Sequence, residues 1–450
     1  GATGGTTTQP TLAQSPLFLA SQLDPALEGT AGANVVIAAQ LNDDNGDGSI
    51  DGNDDVDLVS GSDENQPIQV HLNLGPGQGF ETFSIAGGGP IARMVDLAVT
   101  DIDGDGLPDV AVLVNDTGFV PVTGASLRGA VVLLFAPADT RNALAWQEVT
   151  ISATFVLPCD DTGLTEFTVA DFDGTNGPDF AVASNEEDDA GGNPQKNIRL
   201  YSNPGGAQAR NGGLWTESTI TTDAVKVQTV SAADIDQDGD LDIVATFPSA
   251  RTFNIRWQIN PLAETVAAGG NGPAAVAAGN WARRILGQQG EVDPENVGGD
   301  FISVGDIDGD TYPDVAVAHA GLSVIRWFEN PSSAANPARV TQQTFPWQVF
   351  NIGELQSGVI IDQLQLVDMD NNGSLDCFVT ASGNMLGLQR GTNVFDIWFA
   401  FSIVATNPVA DIGQAAVVDV DKDGLIDIVA PLDRPGLTQD QILLFTRLTP

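Results

Sequence analysis

The feature that most constrains the fold of this chain is a nine-residue acidic pattern that recurs seven times. Its fullest form is D-x-[DN]-x-[DN]-G-x-x-D, as in DIDGDGLPD from Asp101. A lone surface turn or a single EF-hand would not recur in this way, so the pattern marks the unit of a repeat architecture. The other copies begin, at intervals of 51 to 72 residues, at Asp43, Asp171, Asp234, Asp306, Asp368 and Asp419.

The apolar segments around each acidic loop indicate the structure of one repeat. A short run rich in Val, Ile, Phe and Ala precedes each loop and another follows it, as in VDLAVT and VAVLV around the Asp101 loop. Such short runs predict the two strands of a hairpin whose turn is the loop. A third segment follows, such as NIRWQINP (254–261), and a fourth begins with an aromatic residue, as in WARRIL (281–286). Four strands per unit predict an all-β fold, a seven-bladed β-propeller with four-stranded antiparallel blades.

The two ends of the chain predict how the ring closes. The last repeat has its loop at Asp419 but no fourth strand, whereas PLFLASQL near the N-terminus precedes the first loop at the distance typical of fourth strands. We therefore expect residues 13–25 to supply the outer strand of the last blade, since closure removes free sheet edges. The whole chain, 1–450, is then a single propeller domain, with residues 1–12 as an N-terminal arm.

The chemistry of the loops points to calcium. Carboxylates at alternate positions repel one another unless a cation lies between them, and Ca²⁺ takes about 6–8 oxygen ligands at roughly 2.3–2.6 Å. A glycine at the sixth position supplies the sharp turn. We expect the ion to be structural in most loops, because it closes a tight hairpin and stabilises the folded state by mass action.

The acidic hairpins, followed by third strands that end in N-P, resemble FG-GAP or VCBS repeats. Such repeats form the calcium-bearing propellers of integrin alpha chains and of many secreted bacterial proteins, and the scarcity of Phe-Gly and Gly-Ala-Pro signatures here favours the bacterial VCBS-type branch. The resemblance implies up to seven Ca²⁺ ions, one per blade, in the turn between the first and second strands. In the Asp101 loop the implied ligands are the side chains of Asp101, Asp103, Asp105 and Asp109 and the carbonyl of Leu107. The corresponding side chains elsewhere are Asp234, Asp236, Asp238 and Asp242; Asp306, Asp308, Asp310 and Asp314; Asp368, Asp370, Asn372 and Asp376; and Asp419, Asp421, Asp423 and Asp427.

Two loops depart from the pattern by substitution. Thr311 stands where Gly is expected, and a β-branched residue resists positive φ, so that loop is strained or its turn differs. In the loop that begins at Asp171, Thr175 stands where a carboxylate is expected. Asp171, Asp173 and Asp179 remain as acidic ligands, which predicts the weakest calcium site.

The first loop departs by length. Its residues match the twelve-position ligand pattern of an EF-hand, but no helices flank it. Either Asp51 or Asp57 serves as its last ligand, and we expect a six-residue insertion within the same hairpin. Its candidate ligands are Asp43, Asn45, Asp47, Asp51, Asp54 and Asp57.

Composition excludes several classes of function. The formal charge of −43 argues against a nucleic-acid binder and against adhesion to an anionic membrane surface. No uninterrupted apolar segment is long enough for a transmembrane helix, so we expect no membrane insertion. Calcium sites of micromolar to millimolar affinity are filled outside the cell, which predicts an extracellular, cell-surface or periplasmic location.

Residues with other chemistry are few. His71 and His319 are more typical of packed strand positions than of ligands, and Cys159 and Cys377 are too few for a disulfide framework, so we expect two buried thiols. The tryptophans all occupy repeat positions, which indicates packing between blades. The Gly-rich runs GGAQARNGG (205–213) and AAGGNGPAAVAAGN (267–280) are typical of loops between third and fourth strands.

Three hypotheses for the function follow. The favoured one is a secreted, non-catalytic propeller that binds an extracellular protein or a glycan in adhesion. The others are a structural subunit that assembles with copies of itself and a carbohydrate-active lyase or dehydratase. We expect ligand recognition on the face opposite the calcium hairpins, where variable loops lie at 115–129, 153–166, 184–196, 287–299 and 383–395.

Overall fold

Short antiparallel strands make up almost all of the regular structure. The computed structural model describes residues 18–23, 34–62, 67–85, 94–114, 129–151, 164–184, 197–221, 227–247, 255–279, 281–286, 301–319, 323–337, 340, 347–356, 359–390, 398–405, 411–433 and 441–447. Within these residues, no helix is long and apolar enough to cross a membrane.

The strands form seven sheets, the blades of a β-propeller. The first strand is β1 (Phe18–Gln22), and blades 1 to 3 then comprise β2 (Val35–Ala39), β3 (Asp57–Gly61), β4 (Gln69–Asn73) and β5 (Phe80–Ser84); β6 (Met94–Thr100), β7 (Asp109–Val114), β8 (Ala130–Phe135) and β9 (Gln147–Ile151); and β10 (Leu164–Ala170), β11 (Asp179–Ser184), β12 (Ile198–Ser202) and β13 (Thr216–Thr221). Blades 4 to 6 comprise β14 (Val230–Ala233), β15 (Asp242–Thr246), β16 (Ile255–Ile259) and β17 (Ala282–Ile285); β18 (Phe301–Gly305), β19 (Asp314–His319), β20 (Val324–Glu329) and β21 (Gln348–Glu354); and β22 (Ile361–Val367), β23 (Asp376–Ala381), β24 (Asn384–Gln389) and β25 (Phe399–Ala405). Blade 7 comprises β26 (Asp411–Ile412), β27 (Ala416–Val418), β28 (Asp427–Asp433) and β29 (Gln441–Arg447), together with β1.

The N-terminal strand completes the last blade, which confirms the predicted closure. β1 pairs antiparallel with β29, from Phe18 opposite Arg447 to Gln22 opposite Leu443. Blades 7 and 1 also meet at their inner edges, where the backbone of Val36 donates to Gln414 and that of Gln414 donates to Asn34. The predicted arm, residues 1–12, lies outside the described residues.

The second and third strands of each blade form the core. In β7, β8 and β11 every residue is buried, which fits the continuous apolar composition of these strands. All seven tryptophans are buried as well, and Trp257 and Trp327 are fully so. The indole N–H of Trp146 donates to the carbonyl of Thr140, and that of Trp215 to Ala209. The prediction that the tryptophans pack between blades is confirmed.

The innermost strands of three blades contain a register shift that directs one side chain to the next blade. The shifts fall immediately before Asp96, Glu166 and Gln363. The carboxylate of Asp96 accepts the backbone N–H of Phe167 (3.2 Å), and Glu166 accepts that of Val230 (2.7 Å). Gln363 both accepts from and donates to the backbone of Ala415, at 2.8 and 2.9 Å. These bonds connect neighbouring blades along the centre of the ring.

Two details differ from the sequence-based predictions. The run 267–280 is not a simple loop, since two short helices, α1 (Leu262–Ala267) and α2 (Gly272–Ala277), lie between β16 and β17. Asn271 is the N-cap of α2, its side chain accepting from Ala274, and a proline follows inside the first turn. Residues 384–389, part of a predicted surface loop, form β24, because a two-residue connection is enough to turn the chain after β23.

Candidate metal centres in the hairpin loops

Each acidic loop is organised by its first aspartate. In blade 2, Asp101 Oδ1 accepts the N–H groups of Gly104 (2.8 Å) and Asp105 (3.1 Å), and Oδ2 accepts that of Gly106 (2.9 Å). This turn requires positive φ at two positions, and Gly104 and Gly106 supply φ values of 74° and 88°. The sequence pattern identified the need for Gly only at the second of these positions.

The last aspartate of each loop is the first residue of the second strand and is buried. Asp109 Oδ2 accepts the N–H of Ile102 (3.0 Å), inside the loop, and Oδ1 accepts that of Ala136 (2.8 Å), just after β8. One carboxylate therefore joins three segments of a blade. The same pair of bonds is made by Asp57, Asp179, Asp242, Asp314, Asp376 and Asp427.

Carboxylates of the first, third and ninth positions converge. One oxygen from each lies within 4.8 Å of the others in at least four loops of the described chain. Oxygens that bind a common Ca²⁺ at about 2.4 Å can be separated by no more than twice that length, so the donor type and the spacing fit a hard divalent cation. The four groups are Asp101, Asp103 and Asp109; Asp171, Asp173 and Asp179; Asp234, Asp236 and Asp242; and Asp306, Asp308 and Asp314.

The fifth position has a second role. Asp105 Oδ1 accepts the N–H of Leu107 (2.9 Å), and Asp310 and Asp423 make the same bond two residues along the chain. Asn372 does so with its amide oxygen. These side chains thus shape the second half of the turn.

The buried aspartates have raised pKa values, because burial disfavours the charged form and the neighbouring carboxylates repel it. Burial, partly offset by the backbone hydrogen bonds, raises the pKa of Asp109 to about 7 and that of Asp242 to about 9. The pKa is also raised to about 7 for Asp57, about 8 for Asp179 and Asp314, and about 6 for Asp376 and Asp427. A cation in the loop would oppose both effects, so ion binding and proton binding compete.

The two substituted loops keep the turn. Thr311 has φ of 81°, in the left-handed region that disfavours a β-branched residue, and its N–H still donates to Asp306 Oδ2 (2.8 Å). The turn is thus kept at the expense of backbone strain. In the Asp171 loop the hydroxyl of Thr175 donates to Asp173 Oδ1 (2.6 Å), so this carboxylate oxygen already accepts a hydrogen bond from a neutral side chain.

The first loop requires a correction. Ala39 pairs with Asp57 across the hairpin, as Thr100 pairs with Asp109 in blade 2, so Asp57 and not Asp51 begins the second strand. The connection spans 40–56 compared with 101–108, which makes the insertion nine residues long and not six. The predicted first aspartate, Asp43, makes the same bonds as Asp101, since its carboxylate accepts from Gly46, Asp47 and Gly48, three, four and five residues further on. Fully buried Asp54 organises the rest of the insertion and accepts from Asp44, Asn45 and Asp51.

An interblade hydrogen bond that the sequence pattern did not reveal lies beside these loops. The asparagine of N-P, directly after the third strand, is buried and donates to a carbonyl in its own loop and to one in the previous blade. Asn330 Nδ2 donates to Pro313 (3.1 Å) and to Ile235 (3.0 Å), and Asn203 and Asn260 make the corresponding pairs. The N–H of Ile235 donates in turn to Asp242, so adjacent aspartates are linked around this face. Arg390 and Arg447 take the same place in blades 6 and 7 through their guanidinium groups.

Arg210 is a second residue that the sequence did not indicate. It lies between β12 and β13 in blade 3 and reaches the loop of blade 2, where its guanidinium binds Asp103 and also Asp105 (2.8 Å). The same guanidinium lies 4.9 Å from the ring centre of Phe135. Two of the predicted ligands of this loop therefore bind a positively charged side chain, on the side that faces blade 3.

A cavity of about 900 Å³ lies along the axis of the ring. Residues on or just before the first strand of each blade line it, and many are polar: Asp96, Glu166, Gln228, Thr229, Asp362, Gln363, Gln365 and Gln414. Burial raises the pKa of both Asp96 and Glu166, and the charge of Asp96 raises that of Glu166 further. Both carboxylates also accept interblade hydrogen bonds, so they help to hold together the blades that surround the cavity.

Other residues singled out in the sequence have structural environments. His71 is fully buried between the hydroxyls of Ser60 and Thr82, each at 2.8 Å, and His319 is buried at the end of β19. Cys377 is a buried free thiol, and Cys159 lies outside the described residues. Most of the predicted ligand-binding loops, including 115–128, 185–196 and 287–299, lie outside the described residues as well.

Comparison with known proteins agrees with the repeat and the fold. A family model described as FG-GAP-like repeat matches residues 50–112, and no curated protein matches the sequence. Among solved structures, the chain is similar to BBS1N from a crystal structure in complex with ARL6DN, with 10% identity, a TM-score of 0.50, and coverage of 97% of this chain and 99% of the other. The likeness shows the fold alone.

Two further structures have lower TM-scores. A rhamnogalacturonan lyase of Bacillus licheniformis has 14% identity, a TM-score of 0.44, and coverage of 96% of this chain and 75% of the lyase. YCF48 from Cyanidioschyzon merolae has 10% identity, a TM-score of 0.48, and coverage of 95% of this chain and 98% of the other.

From the sheets, the loops and the family match together, the chain is a seven-bladed β-propeller that contains an FG-GAP-like repeat.

Proposed function

We propose that the protein is an extracellular, calcium-stabilised propeller that acts as a non-catalytic binding module for a protein or a glycan. The observation that carries the proposal is the convergence of three carboxylates in each of four hairpin loops, around a buried aspartate that already joins three segments of its blade. Up to seven Ca²⁺ ions would be bound, one per blade, with the Asp171 loop the weakest.

The calcium would act on stability. With a net charge of −43, the ionised loops repel one another on one face of the ring, and an ion that binds only the folded loop offsets this repulsion. The first, third and ninth side chains of a loop would hold the ion. Such sites are filled at extracellular calcium concentrations, which supports a secreted or cell-surface location.

The binding role is supported by the channel and by the rigidity of the ring. Amide and hydroxyl groups, among them Gln228, Thr229, Gln365 and Gln414, line the cavity and can donate to and accept from the hydroxyl groups of a glycan or the backbone of a peptide. Interblade hydrogen bonds lie beside these groups, from Phe167 to Asp96, from Val230 to Glu166 and between Gln363 and Ala415. A rigid framework of this kind lowers the entropic cost of binding.

A non-catalytic role is supported by the state of Asp96 and Glu166, two of the three carboxylates that line the cavity. A general acid and base must be free to exchange protons with the substrate. Asp96 and Glu166 instead accept backbone N–H groups of the next blade. Removal of either carboxylate would therefore disturb the packing of blades 2, 3 and 4.

The proposal is tested by measuring bound calcium and ligand binding on the same samples. Calcium is counted by mass spectrometry after dialysis, and a glycan array is screened with and without EDTA. We expect several equivalents of Ca²⁺, loss of one in Asp242→Asn, and no loss in the control Glu354→Gln, which changes an exposed acid on β21. A protein that binds no Ca²⁺ would refute the calcium role. Turnover of an acidic polysaccharide would refute the non-catalytic role.

A further inference from the structure

The loop of blade 4 has two more carboxylates than the repeat pattern requires. Asp240 occupies its seventh position, where the other complete loops have Leu107, Tyr312, Ser374 and Leu425. Glu264 lies in the first turn of α1, which follows β16 directly. The helix is attached to the loop, because the N–H of Ala263 donates to Asp240 Oδ2 (2.8 Å).

These residues make a second convergent group beside the first. Carboxylate oxygens of Asp236, Asp238 and Glu264 lie within 4.8 Å of one another. Asp236 also belongs to the group with Asp234 and Asp242, so one carboxylate takes part in both. Glu264 and Asp238 are exposed, which leaves this second group open to solvent on one side.

The base of the second group contains buried oxygens without a partner. Among the described residues, Asp236 Oδ1 and Asp240 Oδ1 are buried and accept no hydrogen bond. The Asp240 side chain is almost completely buried, at 5% exposure, and the charges that act on it most strongly are the carboxylates of Asp238, Glu264 and Asp236. A buried, unpartnered carboxylate oxygen among like charges is costly unless a cation binds to it.

Blade 2 shows what the same two loop positions bind elsewhere in this chain. There Asp103 and Asp105, the equivalents of Asp236 and Asp238, are neutralised by the guanidinium of Arg210. In blade 4 the groups that face these positions are the carboxylates of Asp240 and Glu264. The two loop carboxylates thus face one positive side chain in blade 2 and two negative side chains in blade 4.

We propose that Asp236, Asp238, Asp240 and Glu264 form an additional divalent-cation site in blade 4, adjacent to the site of the loop and sharing with it Asp236 and the fifth-position Asp238. The ligands are all carboxylates, which favour a hard cation, and the open side leaves room for water, so Ca²⁺ is the expected ion. The inference rests on the proposed function only in that Asp236 and Asp238 would serve both ions. The second ion would attach α1 to the calcium face through Glu264.

The test compares calcium stoichiometry in single variants of the full chain. Glu264→Gln changes an exposed side chain, so we expect it to fold and to bind one Ca²⁺ fewer than the wild type, while the other sites are retained. Asp240→Asn should lose the same equivalent, and the control Glu354→Gln should lose none. Glu264→Lys should also lose one ion and, by analogy with Arg210, should melt at a higher temperature than the wild type in EDTA.

The outcomes separate this site from the proposed function. If the wild type binds calcium and both Glu264→Gln and Glu264→Lys keep the full stoichiometry, the second site is refuted while the loop sites stand. If Asp234→Asn, which changes only the first group, and Glu264→Gln each lose one equivalent and the double variant loses two, two sites in blade 4 are supported; loss of only one by the double variant would refute the second site. A wild type without bound Ca²⁺ would overturn both proposals together.

Discussion

Removal of calcium should make the stability of this protein fall as the pH rises. The aspartates that begin the second strands have pKa values between about 6 and about 9 in the metal-free fold, because they are buried among other carboxylates. In an unfolded chain the pKa of Asp is about 3.9. Between these values the folded state binds more protons than the unfolded state, so the free energy of unfolding decreases as the pH rises through this window.

The size of the effect can be worked out for Asp109. Its pKa of about 7 exceeds the unfolded value by roughly 3 units, and at about 1.4 kcal/mol per unit its ionisation costs the calcium-free fold on the order of 4 kcal/mol. The loss begins near the unfolded pKa and is complete above the folded one. Calcium binds the ionised form, and a free concentration about 100 times the Kd returns roughly 2.7 kcal/mol per site. Calcium should therefore stabilise the protein more at high pH than at low pH.

The assay is thermal unfolding between about pH 5 and about pH 8, in EDTA and in excess CaCl₂. In EDTA the melting temperature should fall with rising pH, and the increase produced by calcium should grow. Asp109→Asn should show a shallower pH dependence in EDTA and a smaller response to calcium, whereas Glu354→Gln should behave as the wild type. A melting temperature that rises with pH in EDTA, or a calcium response that is equal at both ends, would refute the reasoning.

Three further substitutions test the loops and the contacts between them. Asn330→Ala removes two hydrogen bonds that the side chain donates and one that it accepts from Ser332, at about 1 kcal/mol each. For a chain of 450 residues that unfolds cooperatively, this should lower the melting temperature by about 3 °C. The control Asn142→Ala, at an exposed position, should have no effect. Thr311→Gly relieves a φ of 81° and should raise the free energy of unfolding by about 1 kcal/mol in denaturant titrations; a lower midpoint would contradict the assigned strain. Thr175→Asp restores the missing carboxylate and should add calcium affinity, read by isothermal titration, and an unchanged isotherm would count against the Asp171 loop as a calcium site.

The network that links the loops explains why the calcium face should respond as a unit. The peptide of Ile235 donates its N–H to Asp242 in its own blade and accepts at its carbonyl from Asn330 in the next. Ionisation or ion binding at one aspartate therefore acts on a peptide that the neighbouring blade also contacts. Blade 2 has Ala136 in place of the asparagine, so its interface with blade 1 lacks this side-chain bond.

The first loop illustrates the limit of pattern matching. Asp43 to Asp54 match a twelve-position calcium loop, and the register of the flanking strands cannot be read from that match. The structure pairs Ala39 with Asp57, because the buried aspartate that joins β3, the loop and the segment after β4 must stand at the start of the second strand. The sequence pattern placed the loop and its first aspartate correctly in the chain, and it gave the wrong length for the insertion.

The sequence alone determined the number of blades, the position of each hairpin loop, the burial of the tryptophans and the closure of the ring by β1. These follow from local rules, since turn residues, short apolar runs and carboxylate spacing act over about ten residues and are repeated seven times. The tertiary structure decided which side chains connect the blades. Asn330 and Ile235 are 95 residues apart and Arg210 and Asp103 are 107 apart. Only the folded ring brings such residues together. The contacts that Asn330, Arg210 and Glu264 make with the acidic loops therefore could not be read from the sequence of a single repeat.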